Sequence, residues 1–347
     1  MTIDTEPTRP RPVMVDVARL AGVSQKTVSR VINDAPNVSG DVRGRVLTAI
    51  ETLGYRPNAA ARALVTNRTR VIGVVTPATA LYGPSAMLFG IERAAGEAGY
   101  SVVIASTADA SSEALVRAVH QLVGHGVDGV VLASSVPTEA FPSELLRGIP
   151  AISVGDPPAT DAGCPAVNPD QRDGARAATQ HLLDLGHRTV WHVAGPMSWF
   201  SARERMAGWR EALEAAGAPV HEPLLGDWSA ATGYTTGHEL SERPDVTAVF
   251  AANDQMATGV MRAFFERGRR IPLDVSVVGF DDTPDSEYLL IPLTTVRQDF
   301  AAITTVAVAQ LLRIIAGESP SASITRLPVE LKPRASSGPA PRPHGAP

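Results

Sequence analysis

Four polar side chains within six residues carry the plainest chemistry in this chain of 347 residues: Gln25, Lys26, Ser29 and Arg30. They share a run with Val28, Val31 and Ile32, and at helical spacing the polar set faces away from the apolar one. A guanidinium is a planar fork that matches the two acceptors on a guanine edge in the major groove. The Gln25 amide suits adenine or the DNA backbone, and Lys26 can meet a base or a phosphate. The same pattern also fits the solvated side of an ordinary three-helix bundle. Its surroundings favour the first reading. Val15 to Ile32 reads as a helix, a turn holding Gly22, and a second helix capped by Ser24, the spacing of a DNA-binding helix-turn-helix. A third helix, starting near Ser39–Asp41, turns Val42, Val46, Ile50 and Leu53 to one face. Gly54 then ends it and Pro57 blocks continuation.

Charge points the same way. Residues 1–70 hold 11 Arg and Lys against 6 Asp and Glu, whereas the rest of the chain holds 20 against 30. A small basic head on an acidic body suits a head that meets a polyanion.

Enzymatic chemistry fails on inspection. Gly124-His-Gly-Val-Asp-Gly129 has the glycine spacing of a dinucleotide loop, but it follows a helix and leads into a strand, the reverse of what such a site needs. Gly22 to Thr27 lacks the glycine that precedes a phosphate-loop lysine. The eight histidines are scattered, with no pair at ligand spacing beside acidic residues; His120 and His125, at a helix end, come nearest to a metal site. No nucleophile elbow occurs, and only two lysines, Lys26 and Lys332, are present. Neither an enzyme nor a cofactor is expected. The single cysteine, Cys164, excludes an internal disulfide framework and fits a reducing cytoplasm. The apolar runs are strand-sized, such as Val71–Val75, so no membrane span is expected, and residues 1–12 lack the apolar core of a secretory signal.

The elements that must position any site change character along the chain. Residues 1–12 read as disordered, 13–57 as the helical head and 58–68 as a linker. Asn58 to Leu64 is helix-capable but only seven residues long, marginal without a partner. It is either a switch that folds on contact or a plain linker. From Val71 onward, short β-rich runs recur at Val71–Val75, Ser101–Ala105, Gly129–Ala133, Ala151–Val154, Thr189–Ala194, Ala248–Ala252 and Val275–Gly279. Helical patterns separate most of them, including Ser85–Ala98, Ser112–Val123, Gly174–Leu185, Ala202–Ala216 and Gln255–Arg267. This alternation predicts an α/β body of parallel sheets flanked by helices over 69–333. Two open sheets fit the strand number better than one, with a closed eight-fold barrel as the competitor. Residues 334–347, rich in Pro, Gly and Ser, read as a disordered tail.

Several blocks then carry a resemblance. Asp16-Val-Ala-Arg-Leu-Ala-Gly-Val-Ser24, Thr27-Val-Ser-Arg-Val-Ile-Asn33 and Gly54-Tyr-Arg-Pro-Asn58 resemble the head of the LacI/GalR family of bacterial transcription regulators. Ser201-Ala-Arg-Glu-Arg-Met-Ala-Gly-Trp209, Gly226-Asp-Trp228, Ala252-Asn-Asp-Gln-Met256, Gly279-Phe-Asp-Asp-Thr283 and Pro292-Leu-Thr-Thr-Val-Arg-Gln-Asp-Phe300 extend it through the body, so that it covers roughly residues 13 to 333. The resemblance implies a helix-turn-helix head, a hinge helix and a two-lobed core similar to periplasmic sugar-binding proteins. The implied function is a repressor that binds a pseudopalindromic double-stranded operator as a homodimer and leaves it when a small effector, a sugar of galactoside type by preference, fills the cleft. A non-sugar effector such as a nucleoside, a corepressor, and a sugar-binding or sugar-processing protein are the alternatives.

The resemblance also assigns residues. DNA-contacting positions fall on Gln25, Lys26, Ser29, Arg30 and Asn33. In the hinge, Asn58 and Leu64 match, with Leu64 as an apolar wedge between base pairs. In the cleft, Arg205, Asn253 and Asp281 match hydrogen-bonding positions, Trp228 and Phe300 flank a sugar ring, Ser201 and Arg203 match secondary positions, and Leu81 and Pro84 line the first lobe. On the residues alone, Trp228 and Phe300 can be core, Asn253–Asp254 can cap the helix that begins at Gln255, and Asp281–Asp282 can belong to a loop or a Mg²⁺ site. One departure stands out. Gly155, with Asp156 one place later, stands where an aspartate is expected after the Pro150–Ala151 strand. No counterpart of a tetramer-forming leucine tail occurs in 335–347, so a dimer through the body is expected.

Overall fold

The computed structural model describes residues 12–342 except 33, 57–62, 64–65, 108–110, 134–145, 147, 156–163 and 320–322. The chain divides into two compact units, Met1–Thr69 and Arg70–Pro347.

In the first unit, α1 (Met14–Ala21), α2 (Gln25–Ile32) and α3 (Gly40–Leu53) enclose a small core of Val17, Ala18, Ala21, Val28, Val31, Val46 and Ala49. Gly22 ends α1 at φ 65° and Gly54 ends α3 at φ 60°, left-handed values that favour glycine. Ser24 accepts from the Thr27 amide at 3.2 Å, the cap expected for the second helix. Val15, near the start of the first helix, is 38% exposed. Ala21, one turn beyond Val17 and Ala18, takes the buried place, because a helix stripe runs at spacings of three and four.

The second unit holds two open parallel sheets. The first consists of β1 (Val71–Pro77), β2 (Ser101–Thr107), β3 (Gly129–Leu132), β4 (Ala151–Val154), β5 (Ala166–Pro169) and β11 (Ile324–Leu327) in the order β11-β5-β4-β3-β1-β2. It packs with α4 (Tyr82–Glu97), α5 (Ser112–Gly124) and α10 (Phe300–Ile315). The second, β7-β6-β8-β9, is built from β6 (Trp191–Ala194), β7 (Leu224–Leu225), β8 (Ala248–Ala251) and β9 (Ser276–Val278). Its helices are α6 (Gln171–Asp184), α7 (Phe200–Ala215), α8 (Ala230–Ser241) and α9 (Asp254–Glu266). A small antiparallel pair, β10 (Thr295–Arg297) with β12 (Glu330–Lys332), completes the set. The chain therefore passes between lobes after β5, after β10 and after β11. The expected strands and helices fall where the alternation placed them, and the sheets are open rather than closed into a barrel.

The tail departs from expectation. Residues 334–342 include a strap bonded to the second lobe rather than a free end. Ser336 is fully buried. Its hydroxyl donates to the Val277 carbonyl (2.6 Å) and accepts from the Thr294 amide (2.8 Å), while its backbone bonds Val277 and Pro292. Arg334 donates to Leu293 O and Asp282 Oδ1 at 2.8 and 2.7 Å, and Ala340 N to Leu185 O. Composition misleads here because the strap is held by backbone pairing and hydroxyls, which need no apolar pattern. Ser336→Ala strands a buried carbonyl and a buried amide, each worth about 1–3 kcal/mol. Its urea midpoint is expected to fall clearly, and an unchanged midpoint would show the strap to be incidental.

Candidate functional site

Helix α2 carries an exposed polar face on the first unit. On α2, Gln25, Lys26 and Arg30 are exposed, Ser29 is half-buried, and Val28 and Val31 point into the core. The expected polar face is therefore available along one side of a rigid eight-residue helix. Asn33, Asn58 and Leu64 lie outside the described residues, as does most of the expected hinge.

The second unit holds a cavity between its lobes. Leu81, Pro84, Ser201, Arg205, Trp228, Asn253, Asp281 and Phe300 all line it, although they are scattered over 220 positions of sequence. Topology explains the convergence. Leu81 follows β1 and caps α4, Asn253 follows β8, and Asp281 follows β9, so each sits beyond the carboxyl end of a parallel strand, where open α/β sheets leave a crevice. Ser201 and Arg205 lie one turn apart on α7, and Phe300 opens α10 at a lobe crossing. Arg203, the secondary match, turns away and donates to the Met197 and Ser198 carbonyls.

Arg205 is the hub. Only 4% exposed, it donates through Nε to Gln171 Oε1 (2.7 Å), through one terminal nitrogen to the Ala252 carbonyl, and through the other to Asp281 Oδ1 (3.1 Å). Gln171 Nε2 donates to Gln298 Oε1 at 2.9 Å, and Gln298 Nε2 closes the ring on Asp281 Oδ1 at 2.6 Å. The guanidinium also lies 3.8 Å from the Phe280 ring centroid. Both bonds on Asp281 fall on Oδ1, so Oδ2 remains an acceptor without a partner among the described residues. The guanidinium keeps unused N–H groups as well. Beside a fixed donor, a fixed carboxylate oxygen can grip one hydroxyl as acceptor and donor at once. Burial pushes the Asp281 carboxyl above its usual range, opposed by Arg205 and Gln298.

Two expected roles take a more specific form. Asn253 lines the cavity, yet it also caps α9: Oδ1 accepts from Met256 N (2.9 Å), while Nδ2 donates to Trp228 O (3.0 Å) and Gln255 Oε1 (2.9 Å). Most of its amide is committed to the protein, and it fixes the Trp228 backbone, which sits at φ 73°. Trp228 belongs to the second-lobe core and also to the cavity wall, packed so closely on Gly195 that a Cβ there would lie 2.3 Å from the ring. Its Nε1 is buried without a partner among the described residues. Phe300 meets Tyr82 edge-on at 5.7 Å. Asp281 and Asp282 lie in a loop at φ 109° and 50°, with Asp282 tied to Arg334, and the described residues hold no acidic or histidine cluster able to bind a metal.

Sequence reasoning did not assign Gln171, Gln298, Tyr82, Trp199 or Asn168, all on the cavity wall. Gln298 stood inside a quoted block, two residues before Phe300, and was the one that could have been found. Burial, followed by the charges of Asp281, Asp282 and Asp254, holds the Tyr82 phenol above its ordinary pKa, so it stays protonated and able to donate.

Asp254, a candidate cap together with Asn253, instead binds residues after β9 and on β10. It accepts from Thr283 N (2.8 Å), Ser286 Oγ (2.6 Å) and Thr295 Oγ1 (2.5 Å). Burial, reinforced by Asp281, pushes its carboxyl from the ordinary 3.8 up to about 7. Between those values the folded chain keeps a proton that the unfolded chain has released. The resulting stability is complete below about pH 4 and is lost as pH rises through 7. Asp254→Asn is expected to flatten the decline in urea midpoint between pH 5.5 and 8; an equally steep decline in the variant would assign it elsewhere.

Residues 13–58 match the family described as bacterial regulatory proteins, lacI family, and residues 179–337 match a periplasmic binding protein-like domain. The lactose operon repressor of Escherichia coli K12 is 37% identical over 328 residues, covering 92% of this chain and 89% of that protein. The chain belongs to the lacI family of bacterial regulatory proteins. The HTH-type transcriptional regulator CelR of Thermobifida fusca is 39% identical to this lacI-family chain, over 84% of it and 88% of CelR. Among solved structures, a lac repressor dimer bound to operator and the anti-inducer ONPF matches with TM-score 0.86 at 35% identity, over 95% of this chain and all of that one. A CelR–cellobiose complex matches with TM-score 0.70 at 35% identity, over 94% of this chain and all of that one. This lacI-family protein is thus a DNA-binding transcription regulator of a non-enzymatic family, with a helix-turn-helix head and a periplasmic-binding-protein-like core. Among the described residues no helix is long and apolar enough to cross a membrane.

Proposed function

We propose that this regulator is a homodimeric, sugar-responsive repressor that leaves its operator when carbohydrate fills the cavity. The observation that carries this reading is the buried Arg205–Gln171–Gln298–Asp281 ring, which presents a fixed donor and a fixed acceptor beside the aromatic walls of Trp228 and Phe300. Sugar hydroxyls need paired donors and acceptors, and a sugar's apolar ring face needs an aromatic surface. In this reading Ser201, Leu81 and Pro84 shape the ends of the cavity, and Asn253 acts mainly by holding Trp228 in place. Two related structures lend support to a small-molecule effector, a lac repressor dimer bound to the anti-inducer ONPF and CelR bound to cellobiose.

At the DNA, two α2 helices enter successive major-groove faces of a pseudopalindromic duplex. Arg30, Gln25 and Lys26 face the bases, and Ser29 and Asn33 add contacts. Phosphate neutralisation by the basic head makes affinity fall steeply with salt. The exposed Tyr288 and Leu290, at 81% and 94%, together with Phe89 at 74%, offer apolar surface on the body for a second copy. Sugar favours one setting of the lobes, the two hinge segments separate, and Asn58 to Leu64 loses its folding partner. The coupling needed is on the order of 1–3 kcal/mol. Such a repressor works in the cytoplasm, where its operator is. A thermal-shift screen of mono- and disaccharides tests the effector class, with methyl β-galactoside, cellobiose and ribose as its main arms. A shift with at least one sugar is expected, and a nucleoside shifting the protein where no sugar does would overturn the carbohydrate reading.

A further inference from the structure

The first-lobe wall of the cavity carries a donor that no described residue of the protein engages. Asn168, on β5, is 2% exposed and lines the cavity. Its Oδ1 accepts from the Gly155 amide at 2.8 Å. A backbone N–H can only donate, so this bond fixes which end of the side-chain amide is oxygen, and Nδ2 must be the end that needs an acceptor. That nitrogen is buried and has no partner among the described residues. Buried polar groups are almost always satisfied, and one left alone inside a folded chain costs about as much as the bond it lacks. Gly155 sits at φ 105°, a left-handed value that favours glycine. The bond from its N–H holds the Asn168 amide in one orientation.

We infer that Asn168 is a specificity-determining residue whose Nδ2 donates to an oxygen of the effector on the first-lobe side. This deepens the carbohydrate reading and rests on it. The two walls then make different demands. Asp281 Oδ2 with Arg205 suits a hydroxyl that both donates and accepts, whereas Asn168, with Oδ1 engaged, asks only for an acceptor. A hydroxyl, ring or glycosidic oxygen meets that demand, and a methylene does not. Because the site is built around the donor, an analogue lacking the oxygen leaves the amide buried and unpaired again, and discrimination follows from that asymmetry.

The test is a binding cycle between protein and ligand. Wild type and Asn168→Leu are titrated calorimetrically with methyl β-galactoside, cellobiose and the monodeoxy analogues of each. Asn168→Ala, which adds no bulk, serves if leucine disturbs the fold. The expected result is that wild type binds one monodeoxy analogue about 10- to 100-fold more weakly than its parent. The variant is expected to bind that pair equally while still discriminating among the other analogues. If the variant loses affinity evenly across the whole set, Asn168 only shapes the wall and the inference falls, with the carbohydrate reading intact. If wild type binds no sugar of the set, the carbohydrate reading falls first and takes this inference with it.

Discussion

Replacing Arg205 by alanine is expected to abolish the response to effector and to lower the unfolding midpoint at the same time. The guanidinium makes three protein bonds in a buried ring, and among the described residues the Asp281 carboxylate has only Gln298 as its other hydrogen-bond partner. Removing one member of a buried ion pair leaves an uncompensated charge and costs about 3–5 kcal/mol. Effector affinity should fall at least about 100-fold, since charge-assisted hydrogen bonds are worth about 1.5–3 kcal/mol each. The two losses separate in a cycle. Arg205→Ala with Asp281→Ala is expected to recover part of the stability and none of the response. Operator affinity at a temperature where the single variant is folded should stay near wild type, giving a repressor that cannot be induced. A variant that still releases operator at the wild-type sugar concentration would remove Arg205 from the site.

The second large effect is expected at Leu64, a position assigned through family resemblance. An apolar wedge exchanges base stacking, a few kcal/mol per step, for a kinked duplex that wraps more protein. Leu64→Ala should therefore weaken specific operator binding about 10-fold or more, leave nonspecific binding almost unchanged, and reduce the bend measured by circular-permutation gel shift. Arg30→Ala provides the contrast. Loss of a bidentate base contact costs about 1–3 kcal/mol at one base position, and the bend should persist. Equal losses on specific and nonspecific DNA for Leu64→Ala would remove the wedge.

The sequence was legible where burial follows a period. In the head, Val28 and Val31 alternate with Gln25, Lys26 and Arg30 on a single eight-residue helix, so one glance at spacing separates core from interface. Strands β3 and β8 are continuous apolar runs buried along their whole length, as parallel strands covered on both faces are. Helix α8 was not legible because its packing uses absences. A Cβ at Gly233 would lie 2.2 Å from the Met256 carbonyl oxygen, and one at Gly259 would lie 2.1 Å from that of Ala230, so α8 and α9 meet backbone to backbone with little apolar periodicity to read. The strap at 334–342 escaped notice for a related reason, since Ser336 is buried through hydrogen bonds.

The cavity was legible through motifs, residue by residue, but its wiring was not. Gln171 and Gln298 are 127 positions apart and meet only because the chain crosses between lobes at both places. Asn253 shows the two levels coexisting. The local expectation, a helix cap, and the resemblance-based expectation, a cavity residue, are both met by one side chain.

The most direct test is fluorescence anisotropy of a labelled operator, selected from random duplexes, titrated with the full-length regulator with and without a saturating sugar from the screen. Sugar is expected to weaken operator binding about 5- to 150-fold while leaving random-sequence binding unchanged, and operator should weaken sugar binding by the same factor, because coupling between two sites is reciprocal. An operator affinity that stays the same at full sugar occupancy would contradict the proposed release of DNA by a ligand in the cavity.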